Sequence, residues 1–169
     1  MPLLCMHNKI SYIWENQPNI KMKDKTIDYI LRTTWLAVQK MYNEEAAKFD
    51  STMATGFTLL SIDPEKGTPS TALGPKMGME ATSLSRILKS MEIKGLINRK
   101  PNPEDGRGVI ISLTENGREK RDYSKEKVLL FNEAIKKNVS EEQLKHFYEV
   151  SEVINDMVCN KKIYNQSNS

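Results

Sequence analysis

The sequence predicts a mainly α (α+β) fold in which long helices flank a compact unit of short helices and one β-hairpin. Three observations predict it. Apolar residues recur at three- and four-residue steps over residues 23–49 and again over 114–163, which is the period of an amphipathic helix. Between them, Gly78 and Gly95 bracket a shorter helical stretch, and glycine readily takes the left-handed conformation that ends a helix. Two short runs, the second strongly β-branched, then surround a turn rich in Pro, Asp and Gly, the pattern of a hairpin.

The chain has 169 residues, 38% of them hydrophobic and 28% charged, with a net charge of +3. That length buries a real core without disulfides or metals. Cys5 and Cys159 lie near opposite ends, and only His7 and His146 could join them as ligands. A zinc site needs about four ligands at fixed spacings, so the expectation is a reduced, cytoplasmic chain with no metal and no cofactor. Residues 1–22 read as an N-terminal tail of mixed polarity, without the basic start and apolar run of a signal peptide. Met22 offers an alternative natural start. No stretch approaches the ~18 apolar residues of a membrane helix.

From Lys23 to about Phe49, Ile27, Ile30, Leu31, Thr34, Val38, Met41 and Tyr42 form one apolar face. Asp50, Ser51 and Thr52 offer caps for a second helix through Phe57, Leu59 and Leu60. Gly56 costs that helix about 1 kcal/mol against alanine, so packing must hold it. Residues 63–67, with Pro64 and Gly67, end it. A short element from Ala72 to Met77 follows, capped by Ser70 or Thr71, with Pro75 tolerable near its first turn. After the turn at Gly78, a helix from Glu80 to Lys94 buries Leu84, Ile87, Leu88 and Met91, and Gly95 stops it in a Schellman ending. Strands follow at 96–100 and 109–113, joined by a tip at 101–108. Thr114 caps a long helix carrying Tyr123, Val128, Phe131 and Ile135. Ser140 to Gln143 is a capping box for a last helix with Leu144, Phe147, Tyr148, Ile154, Met157 and Val158. Residues 164–169 read as a disordered tail.

Helix, turn, helix, stop, strand, charged tip, strand is the order of a winged helix-turn-helix, here spanning residues 50–113. Such a unit lays its second helix in the major groove of double-stranded DNA. Thr82, Ser83, Ser85, Arg86 and Lys89 occupy much of the non-buried surface of that helix. Threonine and serine bond phosphates or base edges, and arginine forms two parallel bonds to guanine. Arg99, Lys100 and Arg107 cluster at the hairpin tip, where arginine suits the enhanced negative potential of a narrow minor groove. Asp105 would hold Arg107 by a charge-assisted hydrogen bond. From Lys76 to Arg107, seven cations face four anions, an excess equal to that of the whole chain.

Two segments carry a resemblance. Residues 78–88 with 94–99, and Pro103 to Arg118 with its Asp105-x-Arg107 followed by Leu113-Thr114-x-x-Gly117, resemble the recognition helix and wing of the multiple-antibiotic-resistance regulator (MarR) family. The likeness extends over about 23–159 and is specific over 73–118. It implies a homodimer in which residues 23–49 and 114–163 are dimerisation helices. It further implies a transcriptional regulator, a repressor by preference, that reads a pseudo-palindromic operator with half-sites about one helical turn apart. A small-molecule effector, often phenolic in the family, or a cysteine oxidation would change the wing spacing. The residues that map to DNA contacts are Thr82, Ser83, Ser85 and Arg86 in the major groove and Asp105 with Arg107 in the wing. Trp35 and Tyr42 lie on the helix that borders the family's effector pocket. Glu80-Ala81 departs from the polar pair that many members carry there, and Gly74-Pro75 makes a weaker first helix than usual.

Blander readings stand beside these. The hydroxyls of the second helix could be an ordinary solvated face, and Arg107 with Asp105 a surface ion pair of little energetic worth. Trp35 and Tyr42 could simply pack a dimer core. Cys159 reads as a buried filler, and Cys5 sits in the tail. Ser124-x-x-Lys127 lacks any companion motif, and no catalytic constellation is assigned, so the chain is not read as an enzyme. The alternative function is a winged-helix protein–protein interaction module without DNA binding, favoured by Glu80 and the modest net charge.

Overall fold

The computed structural model describes residues 26–103 and 108–164. The N-terminal tail with Cys5, and the wing-tip residues Asp105 and Arg107, lie outside the described residues. The chain divides into two compact units at Met53–Ala54.

In the first unit, helix α1 spans Ile27–Ala47. It buries no residue completely, and Ile27, Ile30, Leu31, Trp35 and Leu36 are exposed. The turn after it is closed by the Ser51 amide on the Ala46 carbonyl (3.1 Å) and passes through Asp50 at φ 50°. The Asn43 side chain then accepts from the Met53 amide (3.0 Å), so a residue of α1 satisfies the first orphan donor of the next helix. The sequence pointed to Asp50, Ser51 or Thr52 for that start.

The second unit holds the core. Helices α2 (Met53–Ser61), α3 (Ser70–Met77) and α4 (Ala81–Ile93) precede the hairpin, and α5 (Glu115–Lys136) and α6 (Glu141–Cys159) follow it. The strands are β1 (Thr68–Pro69), β2 (Ile97–Pro101) and β3 (Val109–Leu113), in the antiparallel order β1-β3-β2. Leu59, Ile62, Leu73, Leu84, Leu88, Met91, Leu96, Ile97, Ile111 and Leu113 form one buried cluster. Ile87, expected in that stripe, packs only partly buried against it. No described helix is long and apolar enough to cross a membrane.

Three local expectations are corrected. The sheet has three strands rather than two, because Thr68 and Pro69 pair with Ile111 and Ile110. Two residues are too few to show a period of two, and Pro69 reads as a breaker, although proline is admissible on an edge strand. Helix α3 starts at Ser70 rather than Ala72, and its N-cap Pro69 makes no side-chain bond. Pro75 is therefore beyond the first turn and removes an interior bond, a cost limited by the shortness of the helix. Strand β2 starts one residue later than its pattern suggests because Leu96 is used elsewhere. Its amide bonds the Met91 carbonyl (2.9 Å) while that of Gly95 bonds Glu92 (3.0 Å), with Gly95 at φ +65°. This pair is the Schellman ending that the sequence predicted.

The caps of α5 and α6 agree with expectation. The Thr114 hydroxyl accepts from the Gly117 amide (3.0 Å). The Ser140 and Gln143 side chains and amides bond reciprocally at 2.8 and 3.1 Å. Thr114 does more than cap. Its hydroxyl donates to the Gly95 carbonyl (2.6 Å), and its amide donates to Leu96 (3.1 Å). Gly117 lies against the same carbonyl: a Cβ there would sit 1.9 Å from the Leu96 oxygen.

Gly117→Ala should therefore destabilise by ~3 kcal/mol or more as overpacking, although alanine in a helix is intrinsically favoured by about 1 kcal/mol. Thr114→Ala should cost about 1–2 kcal/mol by removing the cap. Urea unfolding midpoints would check both. A neutral or stabilising Gly117→Ala would mean that the close approach to Leu96 does not constrain the fold.

Candidate nucleic-acid interface

Helix α4 separates its chemistry by face. Leu84, Leu88 and Met91 are buried. Thr82, Arg86, Lys89 and Ile93 recur at steps of four, three and four residues and share the opposite face. Thr82, Ser83, Ser85, Arg86 and Lys89 are all exposed, so the structure brings the five helix residues singled out from sequence onto one solvent surface. Ile93 closes that surface with an apolar side chain that is 76% exposed. Sequence reasoning passed over it, because an isoleucine near a helix end reads as core.

The start of α4 is set by its neighbours. Gly78 takes φ +62° at the end of α3, and the Met79 amide reaches back to the Gly74 carbonyl (3.0 Å). Gly74 is buried, and a Cβ there would come within 3.2 Å of the Met79 carbonyl. A glycine at 74 thus lets α3 and the turn approach closely. Glu80 is the N-cap in extended backbone, and its side chain caps nothing. The carboxylate is exposed at the helix N-terminus.

Lys100 and Arg99 lie on β2, paired with Ile110 and Ile111 of the central strand, and both are exposed. The Arg99 Nε donates to Glu92 Oε2 of α4 (2.9 Å). Glu92 was not singled out from sequence. The signal that could have found it is an acid and an arginine on either side of a Schellman turn. The Asn102 amide on the Gly108 carbonyl (2.9 Å) closes the described part of the wing. Lys76, counted in the basic excess, is occupied by the Ser61 carbonyl at the end of α2 (2.7 Å).

Of the effector candidates, Trp35 is 48% exposed, and Tyr42 is half-buried, with burial pushing its phenol pKa up. Cys159 is an exposed free thiol, not the buried filler expected. It ends a helix that buries none of its residues, so the apolar spacing around it does not mean burial within one chain. Among the described residues, no group of three or more His, Cys, Asp or Glu is placed to hold a metal ion.

Residues 52–109 match the model of the MarR family. The match covers about a third of the chain and takes in α2, α3, α4 and β2. Its curated relatives include the uncharacterized HTH-type transcriptional regulator YdgJ of Bacillus subtilis, 35% identical over 71 residues, or 42% of this chain and 43% of that protein. They also include the HTH-type transcriptional regulator SarZ of Staphylococcus haemolyticus, 30% identical over 89 residues, or 53% and 60%. The chain thus spans about half the length of these relatives. The fold recurs in the S. aureus MepR–DNA complex, with TM-score 0.70 at 20% identity over 79% of this chain and 98% of that one. It recurs in the MarR family transcription regulator SP03579, with TM-score 0.73 at 16% identity over 95% and 99%. At these identities the likeness is one of fold, a winged helix.

The two faces of α4 should respond differently to truncation. Leu88→Ala should cost ~2–5 kcal/mol. Thr82→Ala and Lys89→Ala should each stay within about 0.5 kcal/mol of the parent. Chemical denaturation of the three variants would show it. A large destabilisation at Thr82 or Lys89 would mean that this face supports the fold rather than being free to bind.

Proposed function

We propose that the protein is a DNA-binding transcriptional regulator that reads a pseudo-palindromic operator as a homodimer. The observation that carries this reading is the exposed face of α4, where Thr82, Ser83, Ser85, Arg86 and Lys89 stand free of the core beside a wing bearing Lys100. The family of the domain supports it, as does the MepR–DNA complex among the structures of like fold. Arg86 is assigned to a base edge and Lys89 and Lys100 to phosphates, with the hydroxyls serving either. Asp105 and Arg107 join the wing contact on sequence grounds alone.

The homodimer is supported by the apolar side chains that single helices leave in solvent. Phe147, Tyr148, Val150, Val153 and Val158 of α6 are each more than half exposed, as is Ile27 of α1. Exposed apolar surface on that scale marks an association surface. Repression, relieved by a small aromatic effector that contacts Trp35 and Tyr42, completes the reading.

Fluorescence anisotropy on operator DNA selected from random sequence tests the reading. Lys89→Ala should weaken binding to all sequences and make the salt slope shallower by about 0.9 for each phosphate it no longer neutralises. Arg86→Ala should cost about 1–3 kcal/mol and relax preference at one position per half-site. A folded dimer that binds no DNA at low salt would instead favour the protein–protein module. Val153→Asp should sediment as a monomer, and an unchanged dimer would remove α6 from the interface.

A further inference from the structure

We infer that Arg99 is a positioning residue that ties the wing to the recognition helix through Glu92, rather than a contact to the DNA backbone; this rests on the DNA-binding reading above. The charge count alone places Arg99 among the cations that would meet phosphate. The geometry places it differently. Its Nε is 2.9 Å from Glu92 Oε2, across the Lys94-Gly95-Leu96 turn that joins α4 to β2. Arg99 is also the residue of β2 that faces Ile111, the fully buried residue of the central strand. One side-chain bond therefore links the last turn of the reading helix to the middle of β2, the edge strand paired with the central one.

The backbone of this turn is already held on its other side by Thr114 and Gly117 against Gly95 and Leu96. The Glu92–Arg99 bond adds a second tie, which biases β2 against swinging away from α4 about the turn. Both side chains keep over a third of their surface in solvent, 35% for Arg99 and 44% for Glu92. The tie is thus of modest strength, and its effect is on the wing's angle rather than on global stability. A paired guanidinium also presents less net charge to DNA than a free one.

The charge-neutralising variants separate the two roles by sign. Glu92→Gln removes an anion next to the binding face, which by simple electrostatics tightens DNA binding. If the pair positions the wing, Glu92→Gln instead weakens binding, by roughly two- to fivefold. Arg99→Gln weakens it by a similar factor with an unchanged salt slope, and the double variant is no worse than either single one. If Glu92→Gln binds as tightly as the parent or tighter, and Arg99→Gln makes the slope shallower by about 0.9, Arg99 is a phosphate contact and the inference fails.

Backbone amide exchange in the DNA-free protein gives an independent readout. Exchange in Ile97–Pro101 and Val109–Leu113 should quicken in both variants and not in Glu119→Gln, which neutralises an exposed anion on α5. Unaltered exchange in the two variants would overturn the tie whatever the DNA result. If the parent protein binds no DNA, the exchange comparison alone decides it, and only the DNA reading falls.

Discussion

The winged unit depends on one junction, where Thr114 and Gly117 close on the turn between α4 and β2. Thr114 takes up the Gly95 and Leu96 carbonyls of that turn with its hydroxyl and amide, and the same hydroxyl accepts from Gly117 to start α5. Gly117 must come so close to Leu96 that no side chain fits. One threonine thus ends β3, starts α5 and locks the exit of α4. The motif Leu113-Thr114-x-x-Gly117 is explained by this geometry: Leu113 fills the core, the threonine needs both a donor and an acceptor, and the glycine needs the absence of a Cβ.

The consequence is mechanical. Strand β3 is the central strand, paired with β1 on one side and β2 on the other, and its Ile111 is fully buried. With its end pinned to the α4–β2 turn, the sheet and α4 share one core and cannot rotate independently. Interiors are close-packed and transmit displacement rather than absorbing it. Any change that moves β3 or the start of α5 must therefore move α4. Gly74, through close approach to the Met79 carbonyl, and Gly78, through its left-handed φ, shape the turn that leads into the other end of α4.

Much of this was legible in the sequence wherever a residue type has one cheap explanation. Gly95 before a leucine, Ser140 three residues before Gln143, and Thr114 before an acidic first turn each specify a terminus, and each is observed. The buried stripe of α4 followed from its period. What did not show had no local signal. A two-residue strand at Thr68-Pro69 exists only because Ile110 and Ile111 offer it partners. The pairing of Arg99 with Glu92 joins residues on different elements, and charge counting assigns both to solvent. The spacing of apolar residues on α1 and α6 was legible, but their exposure was not, since period alone does not say whether the covering surface belongs to the same chain.

Glu80 sets the limit on how strongly the proposed reading face could hold DNA. As the N-cap of α4 it stands where the helix dipole favours an anion by about 0.3–1 kcal/mol, yet its side chain bonds no helix amide. The fold therefore gains little that Ser or Asp would not supply better. Toward phosphate the carboxylate is repulsive at distances up to a Debye length of ~8 Å, which lowers affinity for every sequence alike. Toward bases its favourable major-groove partners are exocyclic amino groups, that of cytosine above all. A carboxylate at the tip of a reading helix thus subtracts from non-specific binding and adds only opposite an exocyclic amino group. With a chain excess of only +3 and Lys76 and Arg99 engaged within the fold, such a face would owe its grip on a site more to matched contacts than to charge.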